Sequence, residues 1–221
     1  MIELVAHGDV HVLEMDEGEN RFNATSVKVL HSLLDDFDRI EGPKALVTTG
    51  TGKFFSNGLD LDWLTTAPPD EAPDFLGDLN RLFGRILFNP APTSAAVNGH
   101  AFAGGAMLAS AHDHRVMRTD RGFFCIPEVD LGLPLTPGMN AVLQARIPAQ
   151  PFHEAVVTGR RWAAEELLAR NMVEATADGD EVLTSAIEWA AGQAHHAGET
   201  LATMKRLLYP AALAILLPDD A

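Results

Sequence analysis

Three observations predict an α/β core followed by a helical region. Up to Thr136, short β-rich runs alternate with amphipathic helical patterns. After Thr136, helical patterns follow one another. Strands alternating with helices imply an α/β arrangement, and helices alone imply an appended helical layer. The third observation is a pair of segments, Ser56-Asn57-Gly58-Leu59-Asp60-Leu61 and Asn98-Gly99-His100-Ala101-Phe102-Ala103-Gly104-Gly105. Each follows a stretch that reads as a buried strand and puts glycine where the chain must turn tightly into a helix. With 221 residues, 47% of them hydrophobic, the chain suits one domain, or one domain with a helical appendage, and can build a sizeable core. The expected division is a core over 1–158 and a helical C-terminal region over 159–221, which packs on the core or on a neighbouring subunit.

Taken in order, Ile2–Ala6 and His11–Met15 read as strands around a Gly8-Asp9 turn. From Ala24 to Ile40 the residues Val27, Val29, Leu30, Leu33, Leu34, Phe37 and Ile40 recur at helical spacing. Ala45–Thr49 is a β-rich run ending at Gly50. Pro68–Pro73 reads as a mobile loop, placed directly after the first glycine turn where a lid over a ligand would sit. Pro73–Phe88 is a second amphipathic helix, stopped by Pro90 and Pro92. Thr93–Val97 reads as a buried strand, and a helix rich in small residues runs from Ala103 to Ala111. Arg115–Arg118 and Gly122–Ile126 read as strands. Helical patterns then cover Pro137–Ala145, Pro151–Thr158, Ala163–Arg170, Glu181–His195 and Glu199–Leu217.

The net charge of −15 argues against general affinity for nucleic acid, though local cations can still hold a small anion. The single cysteine, Cys125, excludes an internal disulfide framework and fits a reducing compartment. The N-terminus lacks the basic and long apolar parts of a signal peptide, and no apolar run has the length of a membrane span. A soluble cytoplasmic protein is expected.

The two glycine turns can aim two backbone N–H groups at one point, as enzymes do that hold a negatively charged oxygen. Glu128 lies in a loop-like Ile126-Pro127-Glu128-Val129 stretch, whose apolar flanks would raise its pKa toward that of a base working near neutrality. Two donors and one carboxylate suffice for proton chemistry beside a carbonyl. His112 and His114 would share a face of a strand, but no further ligand cluster completes a metal site. Ser56 has no Gly-x-Ser-x-Gly elbow to make it a nucleophile. Lys205-Arg206 reads as a solvated face or as a phosphate contact from a neighbouring subunit.

The order of strand, Phe-Ser-Asn-Gly-Leu-Asp-Leu, helix, strand, Asn-Gly-His-Ala-Phe-Ala-Gly-Gly, helix, then Pro-Glu-Val-Asp-Leu-Gly-Leu-Pro resembles the crotonase, or enoyl-CoA hydratase/isomerase, superfamily. The resemblance runs from about the N-terminus to Thr158 and more loosely to the end. It implies a spiral of ββα units with a helical C-terminal region. It also implies an acyl-CoA thioester substrate, CoA as part of that substrate rather than a separate cofactor, and assembly as a homotrimer or a dimer of trimers. It gives Leu59 and Gly104 the oxyanion N–H groups and Glu128 the proton transfer. Where hydratases carry a second glutamate, three residues after the second donor, this chain has Met107. Hydration shares its work between two carboxylates, whereas moving a double bond from the 3- to the 2-position needs one base. The chain therefore resembles the short Δ3,Δ2-enoyl-CoA isomerases. Single-glutamate members with other reactions exist, which leaves a hydratase, a thioester hydrolase and a silent acyl-CoA-binding scaffold as alternatives. Arg21 and Lys53 stand where the family contacts CoA, and a surface cation without a role is the alternative for each.

Overall fold

The computed structural model describes residues 1–68 and 71–218. Strands β1 (Ile2–His7) and β2 (Val10–Met15) form an antiparallel hairpin about Gly8-Asp9. Helix α1 (Ala24–Asp38) begins at Asn23, whose side chain accepts from the Thr25 and Ser26 N–H groups while the Ser26 hydroxyl accepts from Asn23 N–H. That exchange satisfies donors every helix start leaves free. At its other end Lys44 donates to Phe37 O and Asp38 O, both at 2.9 Å.

Three ββα turns follow. The first runs through β3 (Ala45–Gly50), β4 (Phe54–Ser56), α2 (Leu61–Thr66) and α3 (Glu71–Leu87). The second is β5 (Thr93–Val97), β6 (His100–Phe102) and α4 (Gly104–Ala111). The third is β7 (His114–Arg118), β8 (Phe124–Cys125) and the short α5 (Glu128–Leu131). In each turn the first strand joins a large sheet, ordered β1-β2-β3-β5-β7, and the second joins a small one, ordered β4-β6-β8. All these pairings except β1–β2 are parallel. Helices α6 (Pro137–Arg146), α7 (Ala149–Thr158) and α8 (Ala164–Ala169) come next, and then β9 (Ala175–Ala177) adds a sixth strand beside β7. Helix α9 (Glu181–Gln193), a 3-10 turn, α10 (Glu199–Leu208) and α11 (Pro210–Leu216) complete the described chain. The α/β architecture with a helical C-terminal region is thus formed.

The large sheet is covered on both faces, so its middle strands are apolar on both sides. Val10, Val12, Ala45, Val47, Ala96 and Val116 point to α9, meeting Val182, Ala186 and Ala190. Leu13, Leu46, Ala95 and Met117 point the other way, into the main core with α1, α3 and α4. Helix α11 packs on α3 and α6.

Expectations about four elements are corrected. The stretch before Pro73 is not all loop: Glu71, Ala72 and Pro73 form the first turn of α3, where proline costs no hydrogen bond, while Pro69 and Asp70 lie outside the described residues. Glu128 opens a helix instead of lying in a loop. The region after Thr136 includes β9, too short at three residues to show a period. Pro210 divides the last helix in two, because it carries no N–H for an intrahelical bond.

Several charged and polar groups are buried in structural roles. Lys205 is 4% exposed and donates to Asp113 Oδ2 (2.7 Å), Asn89 O (2.9 Å) and Ala91 O (3.3 Å). It is neither a solvated face nor a phosphate contact, since all three ammonium protons are taken. Asp113 also accepts from the N–H and hydroxyl of Thr93. Arg115 is paired with Glu174. His112 ends α4 and does not share a strand face with His114. It donates Nδ1–H to Leu108 O (2.8 Å), and Nε2 accepts from the Thr48 hydroxyl (2.9 Å). Burial pushes its pKa down to about 4, so the ring is neutral. His114 stacks on Trp189. Among the described residues no helix is long and apolar enough to cross a membrane, and no three His, Cys, Asp or Glu side chains are grouped as metal ligands.

Candidate active site

The first glycine turn leaves β4 and enters α2. Gly58 has φ +81°, the left-handed region that glycine adopts without strain. Space demands glycine as well: a Cβ there would lie 2.8 Å from Ala103 Cβ and 3.0 Å from Gly104 N. The two turns are therefore in direct contact. Phe22 donates its N–H to Gly58 O (2.8 Å) and accepts from Asp60 N–H (2.9 Å), forming a parallel bridge with Leu59. In such a pair the Leu59 N–H is directed away from Phe22, toward the other side of the turn.

The second turn joins β6 to α4. Ala103 caps the helix at φ 49°, ψ −120°, an unfavourable conformation for a residue with a side chain. It is held by its N–H to Cys125 O (3.0 Å) and by Met107 N–H to its own carbonyl (3.1 Å). Gly104 is the first helical residue, so its N–H has no partner within the helix. Gly105 lets α4 press against β4, since a Cβ there would come within 2.2 Å of Ser56 O. Two N–H groups from touching turns, one at a helix N-terminus, can hold a developing negative charge.

Glu128 opens α5 directly after Pro127 and is 9% exposed. Its Oε2 has no hydrogen-bond partner among the described residues. Burial pushes its pKa up, opposed by a hydrogen bond from its own backbone N–H. A buried carboxylate with an unengaged oxygen is suited to take and return a proton.

These parts meet in one cavity of about 550 Å³. Arg21, Asn57, Leu59, Ala103 and Glu128 line it, with Gly104 immediately behind Ala103. Its walls are otherwise mostly apolar: Leu61 and Leu64 of α2, Leu76 of α3, Phe102, Leu131, Leu133 and Met139. Arg21 stands at the edge, its Nε donating to Glu19 Oε2 (2.7 Å) and its guanidinium 3.8 Å from Asp62. Lys53 is not among the lining residues. It is exposed in the turn before β4, and its carbonyl accepts from His100 N–H (2.9 Å). Met107 is fully buried on α4 and is not a lining residue either. Trp63 packs edge-on against Phe75 at 4.9 Å, while its neighbour Leu64 faces the cavity. A groove of similar size, about 540 Å³, runs between α3 and α11, but its lining includes neither glycine turn nor Glu128.

Of the residues singled out in the sequence, Arg21, Leu59 and Glu128 line this cavity, Gly104 follows the lining residue Ala103, and Lys53 lies outside; most of the apolar wall was missed. The one available signal was the Leu131-Gly132-Leu133-Pro134-Leu135 run, too apolar for an ordinary surface loop.

The family model for enoyl-CoA hydratase/isomerase matches residues 6–213. Enoyl-CoA delta isomerase 3 of Arabidopsis thaliana is 33% identical over 220 residues, covering 95% of this chain and 92% of the relative. The peroxisomal enoyl-CoA delta isomerase 2 of the same plant is 32% identical over 228 residues, covering 98% and 95%. The crystal structure of an enoyl-CoA hydratase from Mycobacterium marinum matches this fold with a TM-score of 0.87 at 27% identity, covering 97% of this chain and 94% of that one.

Proposed function

The chain is an enzyme of the enoyl-CoA hydratase/isomerase family, and on that premise we propose that it shifts the double bond of a 3-enoyl-CoA to the 2-position. One observation carries this reading. Two carboxylates line the cavity, and Asp62 is 97% exposed beside Arg21, so Glu128 is the one buried base available. The position three residues after Gly104 holds the apolar Met107.

In the proposed mechanism the thioester oxygen accepts from the N–H groups of Leu59 and Gly104. Ionised Glu128 takes a proton from C2. The electron pair delocalises over the dienolate, and the charge gathers on the thioester oxygen, where the two donors and the α4 dipole stabilise it. Protonated Glu128 then returns the proton at C4, and the double bond settles between C2 and C3. Base and acid are the same group in opposite states, so a second carboxylate has no task. The apolar walls exclude water that would otherwise trap the intermediate. The step is a heterolytic proton shift and calls for no separate cofactor; CoA enters with the substrate, and Arg21 at the cavity edge is suited to one of its phosphates.

The test supplies 3-enoyl-CoA and 2-enoyl-CoA separately and follows both products. The expected result is double-bond migration from the first and slow hydration of the second. Efficient 3-hydroxyacyl-CoA formation from the 2-enoyl substrate, without migration from the 3-enoyl one, would make the chain a hydratase. Free CoA as the main product would make it a hydrolase, and no turnover would leave an acyl-CoA-binding scaffold.

Two further parts of the reading are proposals. Assembly as a trimer, or a pair of trimers, is supported by Met204, Leu207 and Leu208, which are 58–76% exposed on α10 and would gain by burial. Light scattering that shows a stable monomer at micromolar concentration would remove it. A reducing compartment, taken here as the cytoplasm, is supported by the free Cys125 thiol, which is buried and donates to Gly159 O. Cell fractionation decides between cytoplasm and the peroxisomal setting of two relatives.

A further inference from the structure

The Gly58 turn is gripped from behind by residues 19–22. Asn57 donates its N–H to Glu19 O (2.9 Å) and a side-chain N–H to Glu19 Oε2 (2.8 Å). The Ser56 hydroxyl donates to Asn20 O (2.7 Å), and the same oxygen accepts from Gly58 N–H (3.2 Å). Phe22 engages Gly58 O and Asp60 N–H. The N–H groups of Asn57, Gly58 and Asp60 are thus all directed onto this backing segment or onto Ser56, while that of Leu59 faces the other way.

Asn20 is what holds the backing segment in place. It is 4% exposed and sits at φ +50°, a left-handed conformation that asparagine tolerates better than most residues. Its side chain accepts from Glu17 N–H (2.8 Å) and donates to both Phe54 O and Phe55 O (3.2 Å each), tying the segment to β4. Ser56 is fully buried and its hydroxyl is engaged twice, so it is no nucleophile.

We propose that Asn20 and Ser56 are positioning residues that fix the aim of the Leu59 N–H through a chain running from Asn20 O to the Ser56 hydroxyl to Gly58 N–H. This rests on the reading of Leu59 as an oxyanion donor. Geometry at such a donor matters steeply, since a misplacement of about 1 Å can cost ~10²-fold in rate. Ser56→Ala leaves the shape of the turn and deletes the link. It should lower kcat about tenfold, short of that limit, with KM changed less than about twofold.

The experiment measures two quantities on wild type, Ser56→Ala, Asn20→Gly and Glu128→Gln, each checked for folding by circular dichroism. One is kcat and KM with 3-hexenoyl-CoA. The other is deuterium uptake at C2 of hexanoyl-CoA in D₂O, which reads enolate formation without any double-bond shift. Asn20→Gly permits the positive φ while removing the side-chain ties, so it serves if Ser56→Ala does not fold. The expected result is a fall in both kcat and exchange in both backing variants. A residue of purely structural importance would lower the melting temperature and leave kcat per folded molecule unchanged. Exchange lost in Glu128→Gln but within twofold of wild type in the folded backing variants overturns the positioning role alone. Wild type that neither isomerises 3-hexenoyl-CoA nor exchanges at C2 overturns the oxyanion reading itself, and the positioning role with it.

Discussion

Glu128 and Lys205 are both charged side chains buried in this molecule, and they are treated in opposite ways. Lys205 has every proton engaged and an ion-pair partner in Asp113. Glu128 has an oxygen with no partner among the described residues and no cation beside it. Burial that makes a satisfied pair part of the framework leaves an unsatisfied carboxylate with a poorly solvated charged form and a pKa raised toward neutrality, which is what the proposed base needs. Both charges are desolvated, but the Lys205 ammonium on α10 has its hydrogen bonds and Asp113 to offset that cost, whereas the Glu128 carboxylate at the cavity has no cation to do so.

Glu128→Gln tests that contrast most strongly. Isomerisation should fall by at least ~10²-fold, as for loss of a positioned base. Stability should move the other way. The folded-state pKa of Glu128 lies above its unfolded value, so stability falls as pH rises from the unfolded to the folded pKa, and the penalty is complete above both. Glu128→Gln should therefore raise the melting temperature at pH 8 relative to wild type and lose that advantage at pH 4. A variant both active and no more stable would erase the distinction between the two ends.

Lys205→Met is the complementary case. Leaving Asp113 without its ammonium partner should cost about 3 kcal/mol in urea unfolding, the lower range for breaking a buried pair, because Asp113 is 27% exposed and keeps its Thr93 donors. The kcat of the folded fraction should be unchanged. A large loss of kcat without loss of stability would place Lys205 in the chemistry.

pH separates the ends again. His112 is neutral when folded, with a pKa of about 4, and charges near 6.5 when unfolded. Its depressed value means that the unfolded chain binds more protons below about 6.5, so stability declines as pH falls through that window toward 4. The acidic limb of kcat/KM reports Glu128 and should lie above the ordinary carboxylate range. Chemical denaturation and rate measurements over the same pH series distinguish the two.

The smallest effect is expected at the rim. Arg21→Ala should raise KM severalfold at low salt, with the difference shrinking as salt rises, since the guanidinium is partly exposed and already shares Glu19 and Asp62. Lys53→Ala should change KM less, because Lys53 does not line the cavity. Equal effects at both positions would mean that CoA follows a longer path over the surface than the cavity suggests.

Much of this was legible from local pattern. Apolar spacing placed α1 and α3 because a helix buried on one side must repeat near every third or fourth residue. Gly58 and Gly104-Gly105 announced the turns because few other residues fit backbones that pass so closely. Glu128 stood out between apolar neighbours. Other features depend on contacts between residues distant in sequence. Strand β9 exists because β7 offers an open edge, not because three residues prefer to extend. Lys205 reads as a surface residue, and only the approach of α10 to the Asp113 loop gives its ammonium three acceptors. Nothing in the local sequence shows that Asn20 lies beneath Ser56.

By itself, the sequence determined which residues could turn, donate and take a proton, since those capacities belong to single side chains and short backbone stretches. Tertiary structure decided which of them meet. Leu59 and Gly104 come together because parallel strands β4 and β6 set two turns side by side. Glu128 joins them because β8 continues the same small sheet. Lys53, close to the first turn in sequence, stays outside because it precedes β4, at the opposite end of that strand from the Gly58 turn. Proximity in a fold is a property of strand order and register, which emerge only when distant segments bury their apolar faces against one another.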